Sequence, residues 1–163
     1  MREKFFNTEG PMKPEQHYAI PSFARIDWQE IQCLIERERY FLLHAPRQTG
    51  KTTAMLEMVK ALNEAHHYQA IYLNLESSQV ARNDAELGDR QFCDTLLQGV
   101  RANYPGLFDE RAARQIIAEA ASMQRFRALL SWWALNSTRP IVLFLDEVDA
   151  LIGDTLISLL RQL

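Results

Sequence analysis

Residues 45–52 read Ala45-Pro46-Arg47-Gln48-Thr49-Gly50-Lys51-Thr52, and this octet decides the fold of the chain. It follows the apolar run Tyr40-Phe41-Leu42-Leu43-His44 and opens into a helical pattern, which predicts a strand, a loop and a helix in succession. The octet matches the pattern G-x-x-x-x-G-K-[ST], with Ala45 in the place of the usual first glycine. This setting is typical of a loop that binds a nucleoside triphosphate with Mg²⁺.

The residue types in this loop suit a triphosphate. Backbone N–H groups at the start of a helix have no partner within the helix, and the helix dipole adds a partial positive charge there. Gly50 permits a close backbone approach, Lys51 supplies a mobile positive charge, and the hydroxyl of Thr52 is placed to ligate Mg²⁺. The predicted nucleotide-binding residues are Ala45, Pro46, Arg47, Gln48, Thr49, Gly50, Lys51, Thr52 and Thr53. The alternative is an ordinary turn between a strand and a helix.

A second motif lies about a hundred residues later. The apolar run 141–145 predicts a strand buried on both faces, and it ends in Asp146-Glu147-Val148-Asp149. We expect Asp146 to hold Mg²⁺ and Glu147 to polarise the attacking water as a general base, with Lys51 as the other catalytic residue. The alternative is that Asp146 and Glu147 only cap the following helix. For Asp149 we favour that capping role.

Composition bounds the class of protein. The chain has 163 residues, 47% hydrophobic and 24% charged, which is typical of one globular domain with a sizeable core. Its net charge of −3 gives no indication of nucleic-acid binding. No segment is long and apolar enough for a membrane span, and we expect a cytoplasmic protein. Cys33 and Cys93 lack metal-ligand spacing and are expected to be reduced thiols.

Patterns along the chain predict two parts, an extended N-terminal arm at 1–26 and a partial α/β domain at 27–163. The predicted strands are 40–44, 68–75 and 141–145, and 77–86 is expected to be loop. The predicted helices are 27–39 with Asp27 as cap, 51–65, 88–104, one stretch at 109–136, and a last helix from Asp154.

The two motifs, residues 42–53 and 141–149, resemble those of AAA-like P-loop ATPases of the additional-strand class. This class includes STAND-type and origin-recognition-like ATPases, and the stretches 17–21 and 25–27 resemble the leader of its bacterial members. The resemblance implies a three-layer α/β/α fold with a mainly parallel sheet, ATP and Mg²⁺ as ligands, and a homo-oligomer or protein partner. It also places Tyr18, Ile20 and Pro21 near the adenine.

The chain departs from that class in two ways. Family members carry a sensor residue, an arginine and a lid after the acid motif, whereas this sequence ends 17 residues after Asp146. The class also places a further strand between the strand before the phosphate loop, here 40–44, and the strand that ends in the acidic residues, here 141–145. The sequence contains no segment that predicts this further strand. We therefore expect a sheet that is incomplete at the C-terminus, in a truncated product or fragment of a longer ATPase. The alternative is direct pairing of 40–44 with 141–145, as in the kinase–GTPase class.

Three functions remain open from the sequence. The first is an ATP-binding and potentially ATP-hydrolysing AAA-like module, an ATPase in its full-length form. The second is a switch module that holds nucleotide with little turnover, since positioning and charge stabilisation supply most phosphoryl-transfer catalysis. The third is a small-molecule kinase, which the Asp146-Glu147 pair disfavours. ATP is preferred to GTP because we see no guanine-reading Asn-Lys-x-Asp motif.

Overall fold

A computed structural model of the chain describes Phe5 and residues 15–18, 21–44, 46 and 48–163. Internal contacts divide the chain into two compact units, Met1–Glu64 and Ala65–Leu163. None of the described helices combines the length and the apolar character that a bilayer crossing requires.

The first unit is helical in its described part. A short 3-10 helix at Ser22–Ala24 is followed by α1 (Trp28–Glu36) and α2 (Lys51–Glu64). The Asp27 carboxylate accepts a 3.0 Å hydrogen bond from the Glu30 N–H, so the predicted cap of α1 is confirmed. In α2 the predicted inward positions are buried, namely Met55, Met58, Val59 and Leu62.

The predicted strand at 40–44 is wrong. These residues have no regular secondary structure, and the side chains of Tyr40 and Leu42 are 81% and 84% exposed. An apolar run forms a strand only where a neighbouring strand pairs with its backbone N–H and C=O groups. The sequence of the run itself does not show whether such a neighbour exists. The sequence offered two arrangements for this segment: a gap in the sheet between 40–44 and 141–145, or direct pairing of the two. Both arrangements required 40–44 to be a strand.

The second unit contains the sheet and most of the helices. Its strands are β1 (Gln69–Asn74) and β2 (Ile141–Asp146). Its α-helices are α3 (Ala85–Asn103), α4 (Glu110–Glu119), α5 (Arg125–Asn136) and α6 (Gly153–Gln162), with 3-10 helices at Glu76–Ala81 and Val148–Ala150. The segment predicted as loop at 77–86 is therefore mostly a 3-10 helix and the start of α3, for which the Asp84 side chain is the cap.

The two strands form a parallel pair in full register, from Gln69 opposite Ile141 to Asn74 opposite Asp146. Both strands predicted in this unit are thus confirmed, and their carboxyl ends meet at one edge. The crossover between them is helical, as a parallel connection requires. The core on which they lie is built from α3, α5 and α6, and its fully buried side chains include Ile71, Phe92, Leu96, Phe126, Leu129, Trp133 and Leu159.

The single helix predicted at 109–136 is instead two helices. The chain leaves α4 at Ala120 in an extended conformation, and Met123, which a continuous helix would place on its apolar face, is 45% exposed with a φ of 61°. The second helix restarts because the buried carboxylate of Asp89 accepts hydrogen bonds from the N–H groups of Arg125 and Phe126, at 3.1 and 3.0 Å. The cap from Asp89 on α3 therefore starts a new helix at Arg125, although the local sequence pattern predicted one continuous helix at 109–136.

We expect Asp89→Ala to lower the free energy of unfolding by about 3 kcal/mol, because two helix N–H groups and the Arg125 guanidinium, 3.4 Å away, lose a fully buried acceptor. Urea unfolding measures this. The control is Asp94→Ala, an exposed acid on the same helix, which should change stability by less than about 0.5 kcal/mol. Equal effects of the two substitutions would show that the cap contributes nothing.

Candidate functional site

The predicted site residues fall into two groups, one in each unit. The loop residues and Thr53 belong to the first unit, while Asp146 and Glu147 belong to the second. Ala45 and Arg47 lie outside the described residues, as does Ile20.

The loop at 46–51 is closed by the carbonyl of Pro46. This oxygen accepts a hydrogen bond from the Thr49 hydroxyl at 2.7 Å and another from the Lys51 ammonium at 3.2 Å. The lysine therefore turns back over the loop, and its charge lies above the backbone that precedes it. Pro46, which has no N–H group to donate, contributes an acceptor here.

Two residues of the loop have left-handed backbone. Gly50 has a φ of 83°, as expected of a glycine required for its conformational freedom. Gln48 has a φ of 61°, a conformation that costs a residue with a side chain about 1–2 kcal/mol. Such strain persists only where the surroundings hold it, and it is concentrated at functional sites.

Helix α2 begins at Lys51, directly after this loop. The amides of its first turn are directed toward the loop, and the positive end of the helix dipole lies there, which is the arrangement that binds anions. Thr52 is half-buried and Thr53 is buried. The first unit thus places a lysine ammonium, a helix N-terminus and a threonine hydroxyl at consecutive positions.

A second cation touches the loop, and the motif did not predict it. Arg25 Nη1 donates a 3.0 Å hydrogen bond to the carbonyl of Thr49, and a Cβ built on Gly50 would lie 2.9 Å from Arg25 Nη2. The φ of 83° at position 50 favours glycine, and the arginine packs against the space that a side chain there would take. In the sequence, the only signal for Arg25 was its place in the leader stretch 25–27.

Beside Arg25 lies an open cleft of about 630 Å³, lined by residues 23–29. The rings of Phe23 and Trp28 are stacked there, with centroids 4.9 Å apart and planes 18° apart. The described lining includes neither Tyr18 nor Pro21, which we expected near the adenine. Sequence reasoning did not point to this pair of aromatic rings.

The site residues of the second unit, Asp146 and Glu147, lie at the carboxyl end of β2. Asp146 is 5% exposed, and its Oδ2 accepts a 2.9 Å hydrogen bond from the Tyr72 hydroxyl. Its Oδ1 accepts from the Glu147 N–H at 3.0 Å, and its carbonyl accepts from the Leu75 N–H at 3.0 Å. These two bonds, one to each carboxylate oxygen, orient the Asp146 side chain.

Glu147 differs from Asp146 in both exposure and backbone. Its side chain is exposed and its φ is 57°, so strained backbone follows directly after the buried aspartate. The two carboxylates are therefore in different environments, as their predicted separate roles require.

The expected capping role of Asp149 is wrong. This exposed residue lies inside the 3-10 helix Val148–Ala150, and α6 begins only at Gly153 after Ile152, which makes no side-chain cap. The 3-10 turn and the extended residues after it separate Asp149 from the start of α6.

Each unit holds an oxygen donor of the kind that Mg²⁺ takes, namely the Thr52 hydroxyl in the first unit and the Asp146 carboxylate in the second. Among the described residues, no group of three or more His, Cys, Asp or Glu side chains is suited to a metal ion. Mg²⁺ bound to a nucleotide needs only one or two protein oxygens, since phosphates and waters supply the rest.

We expect Arg25→Ala to speed amide hydrogen exchange in residues 46–53 several-fold, because the variant loses the bond to Thr49 that holds the loop, worth about 1 kcal/mol. Exchange followed by mass spectrometry measures this. Arg37→Ala removes an exposed arginine at the end of α1 in the same unit and is the matched control. If both variants exchange at the wild-type rate, Arg25 does not stabilise the loop.

A model of the ATPase family associated with various cellular activities (AAA) matches residues 41–162. The match spans about three quarters of the chain and includes both groups of predicted site residues. We found no significant match to a curated protein or to a solved structure. The family agrees with the parallel sheet of the second unit, and the predicted α/β fold of the P-loop type is confirmed. The chain therefore belongs to the AAA family of ATPases.

Proposed function

We propose that this chain binds ATP with Mg²⁺ through residues 46–53 and hydrolyses it. The observation that carries the proposal is the loop in front of α2, where Lys51 lies over a strained backbone at a helix N-terminus. These groups provide the positive charge and the converging N–H donors that a triphosphate requires. We also include Ala45 and Arg47 among the proposed nucleotide-binding residues, on the basis of the sequence motif alone.

The proposed metal ligands are the Thr52 hydroxyl and the Asp146 carboxylate. The ion that these two side chains would hold would supply positive charge to offset the negative charge that develops during phosphoryl transfer. The proposed role of Glu147 is to accept a proton from the attacking water, and that of Lys51 is to stabilise the transferred phosphoryl group. The exposure of Glu147 supports this role, since a water-activating carboxylate must be reachable by water.

The proposed position of the base is the cleft lined by residues 23–29. Arg25 belongs to this lining and also bonds to the loop, so the cleft and the loop are adjacent within one unit. An adenine is flat and apolar on its faces, and the stacked rings of Phe23 and Trp28 offer a surface of the same kind. The leader stretch 25–27 also supports an assignment to the origin-recognition-like or STAND-type branch of the family.

We expect Lys51→Ala to weaken ATP binding by about 100-fold, because the variant loses charge-assisted bonds to phosphate. Glu147→Gln should keep ATP affinity within about threefold and lower phosphate release by about 100-fold or more, since it removes the base and not the binding site. Calorimetric titration measures affinity, and a steady-state phosphate assay measures turnover.

Lys60→Ala is the matched control, because Lys60 is exposed on the same helix and pairs only with Glu64 at 3.8 Å among the ion pairs described. Unchanged ATP affinity in Lys51→Ala would refute the binding proposal. Tight ATP binding without measurable phosphate release in the unmodified chain would instead favour the nucleotide-dependent switch.

A further inference from the structure

Tyr72 is joined to Asp146 by the register of the sheet. Asn74 lies opposite Asp146, so Tyr72, two residues earlier on β1, projects from the same face as the aspartate. The diagonal between the two positions is longer than a direct cross-strand contact, yet a tyrosine side chain can span it. Its hydroxyl donates to Asp146 Oδ2 at 2.9 Å.

The tyrosine fixes the carboxylate in one orientation. With Oδ2 held by the phenol and Oδ1 held by the Glu147 N–H, rotation about the bond to the carboxylate would break both hydrogen bonds. The lone pairs of both carboxylate oxygens therefore point in defined directions. A phenol supplies this bond without adding a positive charge, so it orients the carboxylate without competing with a cation for it.

The strand that carries Tyr72 is itself held at both edges. One edge of β1 pairs with β2, and at the other edge the N–H of Tyr72 donates to the Tyr104 hydroxyl at 3.2 Å. On either side of Tyr72, Ile71 and Leu73 are buried in the core on the opposite face of the sheet. The phenol thus reaches Asp146 from a fixed backbone.

We propose that Tyr72 is a positioning residue, whose hydroxyl holds the Asp146 carboxylate ready for the Mg²⁺ of a bound nucleotide. The inference rests on the proposed function, because it assumes that Asp146 meets the metal. Groups that bond to a metal-ligating carboxylate restrict its orientation, and their removal typically costs 10–100-fold in metal affinity. Tyr72 would act on the metal only through the aspartate.

The test compares Tyr72→Phe with Tyr104→Phe in the full chain. Each variant loses one phenolic oxygen from the same region of the sheet, but only the Tyr72 oxygen bonds to Asp146, while that of Tyr104 bonds to backbone. ATP affinity is measured in EDTA and then across a Mg²⁺ titration. We expect Tyr72→Phe to raise the Mg²⁺ concentration at half-maximal effect about 10-fold, with the metal-free ATP affinity unchanged. Tyr104→Phe removes only a bond to the β1 backbone, so we expect it to raise the half-maximal Mg²⁺ concentration by about threefold or less, with the metal-free ATP affinity unchanged.

A double-mutant cycle separates positioning from a general loss of structure. In the Asp146→Asn background, adding Tyr72→Phe should produce no further change in the Mg²⁺ response, because the two residues act as one unit. An equal Mg²⁺ response in Tyr72→Phe and Tyr104→Phe, or full additivity with Asp146→Asn, would overturn the positioning role. The proposed function would still stand if wild-type binding depends on Mg²⁺ and Lys51. Absence of ATP binding in the wild type would overturn both.

Discussion

The parallel hydrogen-bonded pairing of β1 with β2 is the constraint on which the second unit depends. Because the strands run in the same direction, their carboxyl ends meet at one edge, with Asn74 opposite Asp146. The connection between them must then cross the sheet, and α3, α4 and α5 fill that crossover. The same register places Tyr72 on the face of Asp146. The pairing of β1 with β2 therefore determines both the position of Asp146 and the fact that Tyr72 reaches it.

Left-handed backbone occurs in both groups of site residues. Gln48 and Glu147 have φ values of 61° and 57°, although neither is a glycine. The same backbone conformation recurs outside the site at Glu38, His66, Arg82 and Met123. Gln48 lies in the turn before α2, where the Thr49 hydroxyl bonds to the Pro46 carbonyl. Glu147 lies between β2 and the next 3-10 helix, and its N–H bonds to Asp146. Strain of about 1–2 kcal/mol at each position is small beside the stability of the elements that hold it. The stability of the surrounding helices and strands thus offsets the backbone strain at Gln48 and Glu147.

Sequence alone predicted the features that arise from local interactions. The Asp27 cap, the periodicity of α2, and strands β1 and β2 follow from residues a few positions apart, and all are confirmed. Two of the errors have a common physical cause. A strand at 40–44 required a partner edge, and the break within 109–136 comes from Asp89 on another helix. Arg25 and Tyr72 were missed for the same reason, because their contacts to Thr49 and Asp146 span 24 and 74 residues.

The charge distribution favours a compact anion at the loop over an extended one. The chain carries a net charge of −3, yet Arg25 and Lys51 both bond to carbonyls of the loop at 3.0 and 3.2 Å, beside the positive end of α2. At physiological salt, charges are screened beyond about 8 Å, so this positive field acts only at close range. A nucleic acid gains affinity by neutralising many phosphates along a surface, whereas the described cations Arg25 and Lys51 both lie at one loop. A triphosphate concentrates its charge within the reach of both.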